Sequence, residues 1–110
     1  MATSNNPQLR RLAAAGYDAL DRYEKGEAGF PWTVAQLKAV VSAAELITDD
    51  QFGSSLRQAW GRLEITNAVM LSEKRRFPTD EQRRVIAEAI SALRVLLDLG
   101  ELDDPSAESD

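Results

Sequence analysis

Residues 29–36 read GFPWTVAQ, and how this stretch divides between loop and helix decides the count of helices. On its N-terminal side, residues 7–25 (PQLRRLAAAGYDALDRYEK) put Leu9, Leu12, Ala13, Gly16, Leu20 and Tyr23 on one helical face. Arg11, Asp18 and Arg22 fall opposite, the pattern of an amphipathic helix. Gly26 and Gly29 end it, as a left-handed cap and a turn would. On the other side a second helix spans 34–48, with Val34, Leu37, Val40, Val41, Ala44 and Ile47 as its main apolar face. Thr33 then reads as its N-cap and Gln36 as the capping-box partner, with Trp32 stapled onto Leu37. Pro31 keeps Phe30 extended. On this reading the two aromatics fix where the second helix starts, because buried aromatics are more often packing than recognition.

The same helix has a second face of Ala35, Ala39, Ala43 and Leu46. Small residues four apart allow close helix approach, which predicts that this helix is the most buried of the set. A third helix starts at TDDQFG (48–53) and runs to about Lys74, with Phe52, Leu56, Ala59, Trp60, Leu63, Met70 and Leu71 as its stripe. Asn67 falls inside that stripe and needs an amide partner on a neighbouring helix or backbone. Ile65 and Val69 point away from it, where apolar side chains call for another helix or a partner protein. The fourth helix opens at FPTDEQ (77–82), with Thr79 as cap, Gln82 as its box partner and Asp80 and Glu81 in the first turn. Val85, Ile86, Ala89, Ile90, Ala92, Leu93, Leu96, Leu97 and Leu99 follow, and Gly100 stops it. The prediction is all-α: a single-domain antiparallel four-helix bundle over residues 1–100, with a disordered acidic C-terminal tail over 101–110. Phe30-Pro31-Trp32-Thr33 and Phe77-Pro78-Thr79 open helices alike, which suggests two stacked hairpins.

A chain of 110 residues suits one domain. It has no Cys and no His, which rules out zinc sites, disulfides and Ser-His or Cys-His catalysis but leaves carboxylate-bound Mg or Ca chemically open. No cofactor is expected. The formal net charge is -5, yet six of the 18 acids and none of the 13 bases lie in residues 98–110, so the remainder, 12 acids against 13 bases, carries +1. The N-terminal MATSNNPQ has no basic start with an apolar run, and no apolar stretch approaches the roughly 20 residues of a membrane span. A cytoplasmic location is the expectation. The ten Arg against three Lys fit a high-GC bacterial or phage genome.

No phosphate-binding glycine loop, dinucleotide fingerprint, EF-hand loop or nucleophile elbow is present. The carboxylate pairs Asp49-Asp50, Asp80-Glu81 and Asp103-Asp104 read as helix starts or solvated tail, so a non-enzymatic protein is predicted. The densest charge is in EKRRFPTDEQRR (73–84), where Lys74, Arg75, Arg76, Arg83 and Arg84 flank the last turn. Such a basic patch can neutralise phosphates. Glu73, Asp80 and Glu81 dilute it, and cations are favoured at a helix C-terminus anyway.

WGRLEITNAVMLSEKRR (60–76) with TDEQRRVIAEAISALRVLL (79–97) resembles small all-helical immunity proteins of bacterial contact-dependent and polymorphic toxin systems. Trp60-Gly61, Leu63-Glu64 and Ala68 are the most distinctive pieces. The resemblance implies no catalysis but tight one-to-one binding that occludes or distorts a cognate toxin, often a nuclease. It implies a partner-binding role for Asp49, Asp50 and Glu64, acids that would meet a basic cleft, with Ile65 and Val69 as apolar anchor. The nearly neutral body departs from an acid-led mechanism. The alternative is a phage- or host-encoded helical regulatory or assembly adaptor, and Ile65 and Val69 would then serve a partner or a homodimer.

Overall fold

Each of the four amphipathic patterns forms one helix: α1 (Pro7–Glu24), α2 (Phe30–Ile47), α3 (Asp50–Ser72) and α4 (Asp80–Leu102). The structure, a computed structural model, describes residues 7–48 and 50–102, with the side chains of 100–102 left out. The expected tail from 103 onward therefore lies outside the described residues. α1 packs on α2, α2 on α3, α3 on α4, and α4 closes the ring against α1. This is an antiparallel four-helix bundle. Leu20, Leu37, Leu56, Leu63 and Leu93 meet at its axis, each at most 1% exposed, and burial of each such side chain contributes about 1.5–3 kcal/mol.

The Gly29–Gln36 connection differs from expectation. α2 starts a full turn earlier, at Phe30, with Gly29 as its extended N-cap residue. Thr33 is no cap: it is buried inside the helix, and its hydroxyl donates to the Gly29 carbonyl at 2.9 Å. Trp32 faces solvent rather than stapling Leu37. Two physical causes combine. Proline is tolerated in a first turn because the N–H it lacks would have no helical acceptor there. Helical Phe30 also buries its ring 5.5 Å from that of Tyr23. The likeness to Phe77-Pro78-Thr79 therefore fails, since Phe77 is exposed and precedes α4.

At α4 the expected capping box is present. The Thr79 hydroxyl accepts from the Gln82 N–H at 3.1 Å, and Gln82 Oε1 accepts from the Thr79 N–H at 2.8 Å. Thr79→Ala is expected to lower stability by about 1 kcal/mol while Thr79→Ser holds it, read from urea denaturation midpoints. α1 and α3 end alike, in Schellman turns. In the first, Gly26 (φ 77°) donates to the Tyr23 carbonyl and Glu27 to that of Arg22. In the second, Lys74 adopts φ 57°, donating to Leu71, while Arg75 donates to Met70.

Four expectations about faces are corrected. The Ala35, Ala39 and Leu46 face of α2 is exposed and Ala43 half-buried, because α2 packs chiefly on α1 and α3 and, among the described residues, its outer side is left uncovered. Leu71 is exposed because α3 outlasts α2. Trp60 sits beside Val34, so about the last two turns of α3 run past the start of α2 at Phe30. Asn67 is only half-buried, and Thr66 takes the buried polar position, its hydroxyl donating to the Arg62 carbonyl at 2.8 Å. Gly100 does not stop α4, which continues to Leu102, and Leu99 faces solvent.

Candidate functional site

Of the five residues expected to bind a partner, four are described and all four are exposed on α3. Asp49 lies outside the described residues. Asp50 occupies the first turn of α3, where a carboxylate suits the positive helix end. Glu64 is fourteen residues on, about 21 Å along the axis at 1.5 Å per residue. The two acids therefore do not share one cluster. Ile65 and Val69 do come together: one turn apart, they are 66% and 41% exposed. Ala68 is exposed beside them. Gly61 lies one turn earlier, and a Cβ built there would meet nothing within 4 Å. Glycine in a helix interior costs roughly 0.5–1 kcal/mol relative to alanine, and no packing among the described residues requires it at 61. The outcome is a smooth apolar strip on the outer face of α3, with Glu64 at one margin and Arg62 at the other.

Beside the first turns of α3 a shallow depression of about 440 Å³ is lined by Glu45, Asp50, Gly53, Ser54, Arg57 and Gln58. Its wall is an ion pair between α2 and α3: Arg57 grips both oxygens of Glu45, at 2.6 and 2.8 Å. The guanidinium carbon also stands 5.5 Å from the centroid of the Trp60 ring. The hydrogen bond from Arg57 holds the Glu45 carboxyl below its ordinary range, and burial opposes it. What the pair adds to stability is present above the ordinary glutamate range and is lost as pH falls through the lowered value. Sequence reading missed this pair, because nothing in a spacing of twelve residues marks an interhelical contact. Gly53 allows it: a Cβ there would meet the Glu45 side chain at 3.2 Å and its Cα at 3.4 Å.

The basic patch of Lys74, Arg75, Arg76, Arg83 and Arg84 is exposed at the α3–α4 turn. Its own acids intervene, with Arg75 on Glu73 at 2.9 Å and Arg83 near Asp80 at 3.7 Å. At the α1–α4 seam, Arg94 binds both Asp21 (2.8 Å) and Glu24 (2.5 Å), and the Tyr17 hydroxyl donates to Asp98, so these groups hold α1 to α4.

Among the described residues no three His, Cys, Asp or Glu side chains group to hold a metal ion, and no helix is long and apolar enough to cross a membrane. Compared with protein-family models, curated proteins and solved structures, the chain matches none.

Proposed function

We propose that this chain is a non-enzymatic protein-binding module, and that its concrete role is that of an immunity protein, neutralising a cognate toxin by tight binding. The observation that carries the reading is the strip Gly61, Ile65, Ala68, Val69 on the outer face of α3. Two large apolar side chains stand in solvent there, beside a half-buried glycine that no packing among the described residues requires. Exposed apolar surface of this kind is what a partner helix or loop covers, and a bare position lets a backbone come close. The separation of Asp50 from Glu64 shifts the weight of the mechanism from acids to this apolar anchor, with Glu64 and Arg62 as margins that select the partner by charge.

The test is capture of the tagged full chain from its native host, with bound proteins identified by mass spectrometry. One stoichiometric partner is expected, harmful when expressed alone and tolerated when this chain is present. The double variant Ile65→Asp with Val69→Asp, checked for helicity by circular dichroism, is expected to lose about 30-fold or more in affinity. Recovery of a large host or virion assembly instead would replace toxin neutralisation by the adaptor role.

A further inference from the structure

Among the described residues the outer face of α2 is a second uncovered surface, independent of α3. At 100° per residue, Trp32, Ala35, Ala39, Ala43 and Leu46 fall within one stripe. Lys38 and Glu45 lie off it on the α3 side, where Glu45 is held by Arg57. The stripe has no charged residue, and its ends are large: Trp32 is 42% and Leu46 87% exposed, with alanines between. Beside Leu46, at the seam of α1 and α2, is an apolar hollow of about 330 Å³ lined by Gln8, Arg11, Leu12, Ala43, Leu46 and Ile47. One end of the stripe thus carries a knob and the other a hole.

The spacing of knob and hole is symmetrical. Trp32 lies seven residues before Ala39 and Leu46 seven after, each about 10 Å along the axis. A two-fold axis perpendicular to α2, lying in the contact plane at Ala39, brings Trp32 of one copy opposite Leu46 of the other. The same operation sets Ala39 on Ala39 and Ala35 on Ala43. It also keeps each flank of the helix facing its own kind. Trp32 and Ala43 both lie on the α1 flank, so the indole arrives over the hollow. We propose that α2 is a self-recognition surface: two copies of this chain pair antiparallel about Ala39, the Trp32 of each filling the α1–α2 hollow of the other.

Three features favour a second copy as the occupant. Isologous contact requires that residue i meet j while j meets i, and this stripe satisfies that with a large group against a recess at both ends. Alanines at the centre let two helix backbones approach closely, where larger side chains would hold them apart. With no charge in the stripe, the axis sets no like charges together, a clash that costs specificity and affinity in self-pairing. An indole buries about 150–250 Å², and Arg11 at the rim is placed to stack on it. A contact built on one helix face and one hollow is small, and specific interfaces generally need about 1,000 Å² in total, so the pairing is expected at the weak end of stable association. Dimerisation is expected to depend on concentration, and the α3 strip remains free.

Sedimentation equilibrium of the full chain between about 1 and 300 µM tests this, and the expected mass rises from 12.1 kDa to twice that value. Ala39→Glu and Leu46→Glu, folded by circular dichroism, are expected to stay monomeric throughout, whereas Ile65→Asp keeps the dimer. The absence of native cysteine gives a positional readout that does not depend on weakening the contact. Oxidised Ala39→Cys is expected to form a disulfide-linked dimer, because the two-fold axis brings its Cβ atoms together, while Ala68→Cys on α3 does not. A monomer at 300 µM overturns the proposal. So does a dimer that survives Ala39→Glu and Leu46→Glu or dissociates with Ile65→Asp. Toxin neutralisation stands or falls separately, on capture and on the α3 variant.

Discussion

Trp60→Ala is expected to lower stability by about 3 to 5 kcal/mol, read as a fall in the urea midpoint with the slope unchanged. The indole is 3% exposed in the core between α2 and α3. Truncation to alanine removes the transfer free energy of a large ring and leaves a hole that the surrounding leucines close only in part. The ring does more than fill volume. Its Nε1–H donates to the Val34 carbonyl at 3.0 Å, fixing the slide of α3 along α2, and its face supports Arg57 above. Trp60→Phe separates these effects: it retains an aromatic body, loses the hydrogen bond, and should cost about 1–2 kcal/mol. If Trp60→Ala left the midpoint near that of the native chain, the helix register described here would be wrong. Trp60 would then belong to the surface and be a recognition residue.

Trp60 also marks what a sequence can disclose. Its place in the core follows from periodicity alone, as do those of Leu56, Leu63, Ile86 and Leu93, because a 3.6-residue repeat of apolar side chains has one stable solution in water. Thr79 with Gln82 was equally legible, since a capping box is local chemistry three residues wide. Thr33 with Gln36 carries the same signature and misleads. The difference lies in Phe30, whose burial against Tyr23 outweighs a cap that would have begun the helix later. Tertiary packing decided between two starts that are locally acceptable, and no local motif encodes it.

The candidate surfaces divide the same way. The angle of Ile65 and Val69 sets them off the main stripe of the third helix, but whether another helix covers them is decided only by the bundle, which leaves them exposed. The α2 stripe gives less warning: Ala35, Ala39 and Leu46 are as apolar as a buried face. Only the ring arrangement, in which α2 packs chiefly on α1 and α3, turns them outward. Asp50 and Glu64 are near in composition but about 21 Å apart on a rigid helix, a separation that acids counted along a chain conceal. The Glu45–Arg57 and Arg94–Asp21–Glu24 pairs depend on which helices become neighbours, and sequence spacing is silent on that.

The α1–α4 seam offers the second large effect, and it is a test of packing in both directions. Leu97→Ala is expected to cost about 2–5 kcal/mol, since the side chain is buried in the core cluster. Gly16 faces it from α1: a Cβ there would stand 2.9 Å from Leu97 Cδ1, closer than real contacts allow. In the native chain Gly16→Ala therefore sets a helix-propensity gain of about 1 kcal/mol against an overpacking cost of about 1–3 kcal/mol. The net expectation is a loss. With Leu97→Ala already present, the obstructing methyls are gone and the new one fills part of the cavity, so the same substitution should stabilise by about 1 kcal/mol. A reversal of sign across the double-mutant cycle, with a coupling of about 2 kcal/mol, lies within the range for residues in contact. Denaturation midpoints of the four proteins measure it. An equal effect of Gly16→Ala in both backgrounds would mean that α1 and α4 do not approach this closely, and that glycine at 16 answers to something other than the bundle core.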